Sequence, residues 1–478
     1  MRRIRVKNIK YIRSRIMKKL KIFAVIMTVF MLFTACTAAE KEIVPEYDPN
    51  AKADEIDLLG YEFIIAALSH GGQYPLNPES GSTARADQLL QRYKETEEKY
   101  NVEITLIDGC DTGRYQTLLA ADMKYADLMF TVMHHVMRGP MQQGLYMPFS
   151  DMNIDLHSGL YGTPGSLEAG LFGDDYYAII AYYWGFPAAD TMPAMWFNPA
   201  VISEYQQASP HELYENGEWT WDKLESMCEA IRDTSDPDEN MHTYALAYTS
   251  EPYLEFAALF SNNARFVQKG ADGKLSYALN SPEAIEALTF VRSLAERQLI
   301  CDGGDRPNIT PFVENRRAFF VEFTHLGLSD EGRENLAYRM ESAYEWIVFP
   351  EGPSANGSKS RTSFSYNSRF FYAPINTDPE VQAILLPYMF QPLPGDTTET
   401  WQDDFERSTF FSTASFEHFQ TIRDEAFFDY TIYTPFSGAL QTNLLGVTRG
   451  KKAATEALVE IENEMQASLD NLYNNYME

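Results

Sequence analysis

Two pairs of adjacent carboxylates are the residues of this sequence with the plainest potential for chemistry. Asp174-Asp175 and Asp403-Asp404 each place two carboxyl groups side by side, and glycoside hydrolysis uses a pair of carboxyl groups. The sequence contains 68 acidic residues, however, so such doublets are expected by chance on a solvated surface. Hydrolysis by a carboxylate pair therefore stays an alternative interpretation.

Other catalytic signatures are missing from the sequence. It contains no phosphate-binding loop with Lys and Ser/Thr, no GxSxG, no HExxH and no paired CxxC. His134 and His135 are adjacent, and adjacent residues point in different directions on any regular element, so they form a weak pair of metal ligands. We expect a protein that is not an enzyme and that needs no metal and no cofactor.

Aromatic residues make up 14% of the chain, and many of them lie in its middle third. Pyranose rings present flat C–H faces, on which aromatic side chains stack with a gain of about 1 kcal/mol beyond area burial. A sugar site is one interpretation of this enrichment, and a role in the core is the other for more than half of the rings. The residues concerned are Tyr182, Tyr183, Trp184, Trp196, Trp219, Trp221, Tyr253, Phe256 and Phe260.

The charge is distributed unevenly along the chain. Residues 1–35 contain ten of the 39 basic residues and none of the 68 acidic ones. The remainder therefore carries 29 basic against 68 acidic residues, a net charge of −39. Such an acidic body repels phosphate backbones, which argues against nucleic-acid binding.

The N-terminal segment has the pattern of an export signal. The apolar run 22–33 suits a signal-peptide core and is too short to cross a membrane comfortably. The following Ala35-Cys36 resembles the bacterial lipobox, in which the cysteine takes a diacylglyceryl group. We expect a signal peptide over 1–35, lipidation at Cys36, a flexible tether over 36–56 and a position on the extracytoplasmic face of the membrane. A conventional cleaved signal, with Cys36 incidental, is the alternative.

Strands and helices alternate at the start of the body. Apolar runs predict strands over 59–68, 102–107 and 126–132. Between them, a helix that Ser82 or Thr83 can cap extends to about Tyr100, and a second helix covers 114–121. This alternation favours an α/β fold with parallel strands. Further signals predict strand-like segments over 176–186 and 194–197, helices after Thr220 and Ser281, and a C-terminal amphipathic helix from Lys452.

Several segments in this order resemble extracellular solute-binding proteins of family 1, the lipoproteins that serve carbohydrate ABC importers. The sharpest match is Trp219-Thr220-Trp221-Asp222 with the start of a family helix, and Glu251-Pro252-Tyr253 matches a family segment at the sugar. The resemblance covers about residues 57–475, with looser matches at residues 124–128, 144–149, 194–198, 279–284, 312–320 and 374–381.

The resemblance implies two α/β lobes of the periplasmic-binding-protein type, joined by several chain crossings. Lobe 1 would contain residues 57–162 and 326–402, and lobe 2 residues 163–325 and 403–478. A monomer would bind a sugar or oligosaccharide between the lobes and deliver it to the ABC permease subunits. The ligand contacts that it implies are Glu251 and Tyr253, with Trp196, Trp184, His134, His325 and Phe436 placed by segment order alone. A binding protein that feeds a sensor kinase is a second alternative.

Three cysteines remain if Cys36 carries lipid: Cys110, Cys228 and Cys301. Three widely separated cysteines make no disulfide framework, so we expect buried free thiols. A single Cys228–Cys301 bridge is the open alternative.

Overall fold

The computed structural model describes residues 56–67, 76–137, 139, 141–184, 191–249, 251–304, 309–328, 336–340, 343–359, 361–365, 367–433 and 436–472. The predicted signal peptide, tether and lipidation site at Cys36 lie outside these residues. Within the described residues, no helix combines the length and the apolar character that a membrane span requires.

The body is a mixture of helices and short sheets. The strands are β1 Tyr61–Ala67, β2 Val102–Asp108, β3 Leu128–Val132, β4 Tyr146–Met147, β5 Leu171–Phe172, β6 Asp175–Tyr176, β7 Thr191–Met192, β8 Ala194–Phe197, β9 Ala247–Tyr248, β10 Val267–Lys269, β11 Leu275–Tyr277, β12 Cys301–Asp302, β13 Phe319–Glu322, β14 Glu345–Ile347, β15 Ser363–Phe364 and β16 Arg369–Pro374. The α-helices are α1 Ala84–Tyr100, α2 Thr112–Ala120, α3 Met133–Val136, α4 Pro164–Ala169, α5 Pro199–Glu204, α6 Pro210–Glu215, α7 Trp221–Ile231, α8 Tyr253–Ser261, α9 Pro282–Glu296, α10 Thr310–Val313, α11 Leu336–Arg339, α12 Pro379–Met389, α13 Asp403–Thr409, α14 Thr413–Asp424, α15 Gln441–Thr448 and α16 Ala454–Leu472.

The largest sheet among the described residues has five strands in the order β2-β1-β3-β16-β4. Strand β1 pairs in parallel with β2 and β3, while β16 runs antiparallel to β3 and β4. The predicted alternation of strands and helices is therefore confirmed, because parallel neighbours need a helical crossover between them. Strand β16 is buried along its whole length, so it lies inside the core of this sheet.

A second, three-stranded sheet has the order β13-β8-β14, with both outer strands antiparallel to β8. The pairing of β14 joins residues 345–347 to the sheet of β8 and β13, although the resemblance placed residues 345–347 in lobe 1 and the other two strands in lobe 2. The division of the whole chain into lobes otherwise stays a prediction.

Helix starts follow the sequence signals closely. The side chains of Thr83, Thr220 and Ser281 each accept a hydrogen bond from a backbone N–H of the first turn. Pro282 occupies the first turn of α9, where its missing N–H costs nothing. The N-caps predicted at Thr220 and Ser281 are therefore confirmed, and of the two candidates for the first helix, Ser82 and Thr83, the structure uses Thr83.

The aromatic segment 176–186 is not the long strand that its composition predicts. Among the described residues 176–184, Tyr176 ends the short strand β6, Ile179 forms an isolated bridge with Phe371, and Tyr182–Trp184 forms a 3₁₀ turn. The aromatic rings here pack against aromatic rings from distant parts of the chain: Tyr182 lies 5.0 Å from Trp401, and Trp184 lies 5.1 Å from Phe390.

The predicted free thiols are confirmed. Cys110 and Cys228 are buried, Cys301 is partly buried, and all three are unpaired. The described residues contain no group of three or more His, Cys, Asp or Glu side chains with a metal-binding arrangement.

Candidate functional site

Three of the residues that the sequence singled out, Glu251, Tyr253 and His325, lie on two segments that meet in space. Tyr253 is the first residue of α8, and Pro252 before it has a backbone conformation outside the helical region. Glu251 therefore precedes the helix, as its position before proline predicts. Strand β13 packs against α8, and the turn Thr324–Gly327 that carries His325 follows this strand directly.

The aromatic ring of Tyr253 is held on one side by its neighbours. Its centroid lies 5.3 Å from that of Phe323 in an edge-to-face arrangement, and Phe323 lies 5.7 Å from the ring of His325. Tyr253 and His325 are only partly buried, whereas Phe323 is 6% exposed. Phe323 therefore supports two partly open rings, an arrangement that suits stacking on a flat apolar ligand face.

Glu322, the last residue of β13, joins this group, and the sequence analysis did not single it out. Its side chain is 2% exposed. The Oε1 atom accepts a hydrogen bond of 3.1 Å from the backbone N–H of Phe323, and the Tyr253 side chain is a further hydrogen-bond partner. Among the described residues, the buried Oε2 atom has no hydrogen-bond partner.

Burial is the largest cause that raises the pKa of Glu322, and the nearby negative charge of Glu251 adds to it. With the hydrogen bonds from Phe323 and Tyr253 acting in the opposite direction, the pKa is about 8, which favours the protonated form of Glu322 at neutral pH. Glu251 is partly exposed, and its backbone is held by Thr249, whose hydroxyl donates to the Glu251 carbonyl at 3.0 Å. The pair thus combines the partly exposed side chain of Glu251 with the buried carboxyl group of Glu322.

The signal for Glu322 is present in the sequence. Residues 319–323 read Phe-Phe-Val-Glu-Phe, so an acidic residue interrupts an otherwise apolar run. A carboxyl group in such a run is buried at a cost unless it is neutral or paired. The cost of burying a carboxyl group therefore indicates that Glu322 is neutral or paired, although the sequence does not identify Tyr253 as its partner.

Trp196 lies beneath the turn that carries His325. It is fully buried, 4.9 Å from Trp346 and 5.9 Å from Phe320 between ring centroids. A Cβ atom built on Gly327 would lie 2.3 Å from the Trp196 ring nitrogen, so the backbone of the turn rests directly on the indole. Trp196 supports this turn from inside the core, and its contact with ligand stays a prediction.

Trp184 is also buried, in a different part of the core. Its ring N–H donates to the carbonyl of Met389 at 2.9 Å, and its ring packs against Tyr93, Phe371 and Phe390. The structure does not bring Trp184 into the group around Tyr253. Its 1% exposure favours the core interpretation of this ring.

His134 lies in the short helix α3, which follows β3 directly, at the end of the parallel strands where ligands of α/β sheets bind. Its ring is edge-on to that of His135, with the centroids 4.4 Å apart. His134 is thus on the five-stranded sheet, whereas the group around Tyr253 is on α8 and β13. Phe436 begins a π-helical turn, and its side chain lies outside the described residues.

A concavity of about 860 Å³ lies near this group in sequence and is lined by residues on both sides of it. Its lining residues include Tyr244, Tyr248, Cys301, Arg317 and residues 319–321. The guanidinium of Arg317 donates to the carbonyl of His242 at 3.1 Å and lies over the ring of Tyr244. Glu251, Tyr253 and Glu322 are not among its lining residues, so it is a separate candidate for ligand binding.

Comparison with known proteins gives a clear answer at the level of fold. No protein-family model matches the chain, and no curated protein sequence matches it significantly. A cyclo/maltodextrin-binding protein in complex with maltotetraose superposes with a TM-score of 0.58 at 14% identity, covering 90% of this chain and all of that one. The cyclic α-maltosyl-1,6-maltose binding protein of Arthrobacter globiformis gives the same score and identity over 86% of this chain and all of the other.

A solute-binding protein of an ABC transporter from Thermotoga lettingae, bound to α-D-tagatose, has a TM-score of 0.53 at 16% identity and covers 86% of this chain and all of its own. These scores extend over nearly the whole of each known structure. The chain therefore has the two-lobe α/β fold of the periplasmic binding proteins, in the form that maltose- and oligosaccharide-binding proteins share.

Proposed function

We propose that this protein captures a sugar or oligosaccharide between two lobes and delivers it to an ABC importer. The observation that carries the proposal is the group at the start of α8, where Tyr253, with its partly open ring, and the partly exposed Glu251 lie on either side of Pro252. The ring offers a stacking face and the carboxylate accepts hydrogen bonds from hydroxyl groups. The fold supports the proposal, since its neighbours include proteins solved with maltotetraose and with tagatose.

The mechanism follows from the two-lobe fold. A ligand that contacts both lobes binds the closed form better than the open one, and it shifts the population toward closure by its differential affinity. Closure removes water from around the carboxylate and the ring, which strengthens each polar contact. No covalent step is needed, because capture and release are both binding equilibria.

The alternative of a carbohydrate-active enzyme finds less support in the placement of its carboxylates. Asp174 is exposed, Asp175 accepts a hydrogen bond from the Ser150 hydroxyl at 3.0 Å, and Asp403 and Asp404 lie exposed at the start of α13. Glu251 and Glu322 resemble a catalytic acid and base pair more than the two aspartate doublets do, but the Glu322 side chain is only 2% exposed. A reacting glycosidic oxygen needs direct access to its acid.

A lipid on Cys36 would hold the receptor beside its transporter on the extracytoplasmic side of the membrane. The support is the basic, apolar and small-residue order of residues 18–36. The mass of the N-terminal peptide of the mature protein distinguishes a diacylglyceryl cysteine from an unmodified N-terminus. Permease genes next to the gene of this protein would support the importer, whereas a sensor-kinase gene in that place would support the sensor alternative.

Binding is tested on the purified body, residues 37–478, with maltotetraose, mannotriose and tagatose as probes. A ligand present at about 100 times its Kd stabilises the folded state by about 2.7 kcal/mol, which a thermal melt detects readily. We expect at least one glycan to raise the melting temperature and to remain chemically unchanged. Hydrolysis of the probe would favour the enzyme, and a wider panel of mono- and oligosaccharides without any effect would contradict sugar capture.

A further inference from the structure

We propose that Glu322 is the positioning residue of the site around Tyr253, and that its proton makes ligand affinity depend on pH. The inference rests on the proposed sugar binding at Tyr253 and adds to it a residue and a chemical condition that the proposal does not contain. Glu322 acts through the Tyr253 side chain, not by direct contact with ligand.

The contacts of Glu322 connect the end of a strand to the start of a helix. Glu322 ends β13 with its side chain turned into the protein, 2% exposed. The Phe323 N–H and the Tyr253 side chain both bond to its carboxyl group. Tyr253 begins α8, so this contact ties the end of the strand to the start of the helix. It fixes the direction in which the Tyr253 ring faces.

One carboxyl oxygen of Glu322, Oε2, takes no part in these contacts. Among the described residues, Oε2 of Glu322 has no hydrogen-bond partner and is shielded from solvent. An ionised carboxylate with an unpartnered buried oxygen is costly, whereas a neutral carboxylic acid places its proton there at much lower cost. The geometry therefore favours the protonated form, in agreement with the pKa of about 8 that burial gives this group.

Other titratable groups lie close to Glu322. The titratable groups of the described residues that face Glu322 are Tyr253 at the start of α8 and Glu251 in the segment before it. His325 follows three residues later, on the turn after β13. Glu251 disfavours a second negative charge here, because its charge at close range raises the pKa of the Glu322 carboxyl group. Closure over a ligand removes water from around the partly exposed Glu251 and Tyr253, so the charge of Glu251 is screened less and disfavours a charge on Glu322 further.

The burial of Glu322 and the nearby charge of Glu251 determine how ligand affinity changes with pH. Ligand binding favours the protonated form of Glu322, so affinity is constant while Glu322 is protonated in the free protein. It weakens as the pH rises through about 8, where the free protein loses this proton and binding must take it up again. The loss approaches about tenfold per pH unit at most for a single proton.

The experiment is titration calorimetry of wild type and Glu322→Gln with maltotetraose, or with the glycan that stabilises the protein best, between about pH 6 and about pH 9.5. Glutamine has the size of the protonated acid and does not titrate. We expect Glu322→Gln to bind as tightly as wild type at about pH 6 and to keep that affinity at about pH 9.5, where wild type has lost at least about tenfold. Equal pH profiles for the two proteins would overturn the proposal.

Glu255→Gln is the matched control. Glu255 lies two residues after Tyr253 on the same helix, is also fully buried, and has its pKa raised to about 7 by burial. Its carboxyl group bonds to the Thr448 hydroxyl instead of to the site. We expect Glu255→Gln to keep the pH dependence of wild type, and a flat profile for this variant would assign the effect to the fold and overturn the proposal.

A measurement without ligand separates this inference from the sugar proposal. In the unfolded chain Glu322 titrates near its ordinary pKa of about 4.3, whereas the folded protein holds its proton up to about pH 8. The contribution of Glu322 to folding stability is therefore fully present below about pH 4.3 and falls as the pH rises toward 8. The melting temperature of Glu322→Gln should rise relative to wild type across this window. A constant difference between the two melts would show that Glu322 is already ionised and would refute the inference, even if sugar binds.

Discussion

Asp127→Ala is expected to lower the free energy of unfolding by about 3–5 kcal/mol, the cost of breaking a buried ion pair. Asp127 is fully buried and lies directly before β3 of the five-stranded sheet. Its oxygens accept hydrogen bonds from the Tyr61 hydroxyl and the Ile64 N–H, both at 2.8 Å, and from the Thr377 hydroxyl at 3.2 Å. Lys124 forms an ion pair with it at 2.8 Å. Alanine would leave the partly buried Ile64 N–H without this partner.

The matched control is Glu98→Ala, which breaks an exposed ion pair with Lys94 on the surface of α1. Water screens that pair, so we expect a change of about 0.5 kcal/mol or less. Chemical denaturation measures both variants on the same protein. Asp127→Asn keeps the size of the side chain and should fall between them, which keeps the comparison measurable if the alanine variant does not fold. Equal stability of the Asp127 and Glu98 variants would contradict this role of the buried carboxylate.

Tyr253→Ala is expected to weaken sugar binding by about 1–3 kcal/mol, roughly five- to 150-fold. The ring is partly open, and its support comes from Phe323 on one side and Glu322 beneath its hydroxyl. Removing such a ring takes away a stacking face but little of the core. The melting temperature without ligand should therefore change much less than for a fully buried aromatic residue, whose loss costs about 3–5 kcal/mol.

Tyr248→Ala is the control for the position of the site, because Tyr248 is a partly buried tyrosine that lines the neighbouring concavity. Titration calorimetry should show unchanged affinity for this variant. If Tyr248→Ala weakens binding and Tyr253→Ala does not, the ligand occupies the concavity of about 860 Å³. A large drop in the ligand-free melting temperature of Tyr253→Ala, with unchanged affinity, would identify Tyr253 as a core residue.

Much of the fold could be predicted from local signals. The run 61–67 is bounded by a turn, and the caps Thr83, Thr220 and Ser281 mark their helices, because N-capping depends on residues within one turn. The prediction of a strand over 176–186 was wrong because the structure of this segment depends on distant contacts. Aromatic residues suit strands and aromatic clusters equally well, and the choice depends on partners such as Trp401, which lie far away in sequence.

The candidate site could be predicted only in part, and the limit is physical. Glu251 and Tyr253 are neighbours in sequence, so the proline between them indicates an element end at that position. Glu322 contacts Tyr253 across about 70 residues of chain, and no local pattern encodes such a contact. Trp184 and Trp196 show that residue type alone does not distinguish a stacking platform from a core ring, since both are at most 1% exposed.

The central claim is that a sugar closes the two lobes around itself, and small-angle X-ray scattering with and without ligand tests it most directly. The measurement uses the soluble body and the glycan that stabilises it best in the thermal melts. Because hinge closure brings the lobes together, we expect a smaller radius of gyration in the saturated sample, with Tyr253→Ala showing the same change only at higher ligand concentration. A glycan that binds tightly in calorimetry and leaves the radius of gyration unchanged would contradict capture by lobe closure.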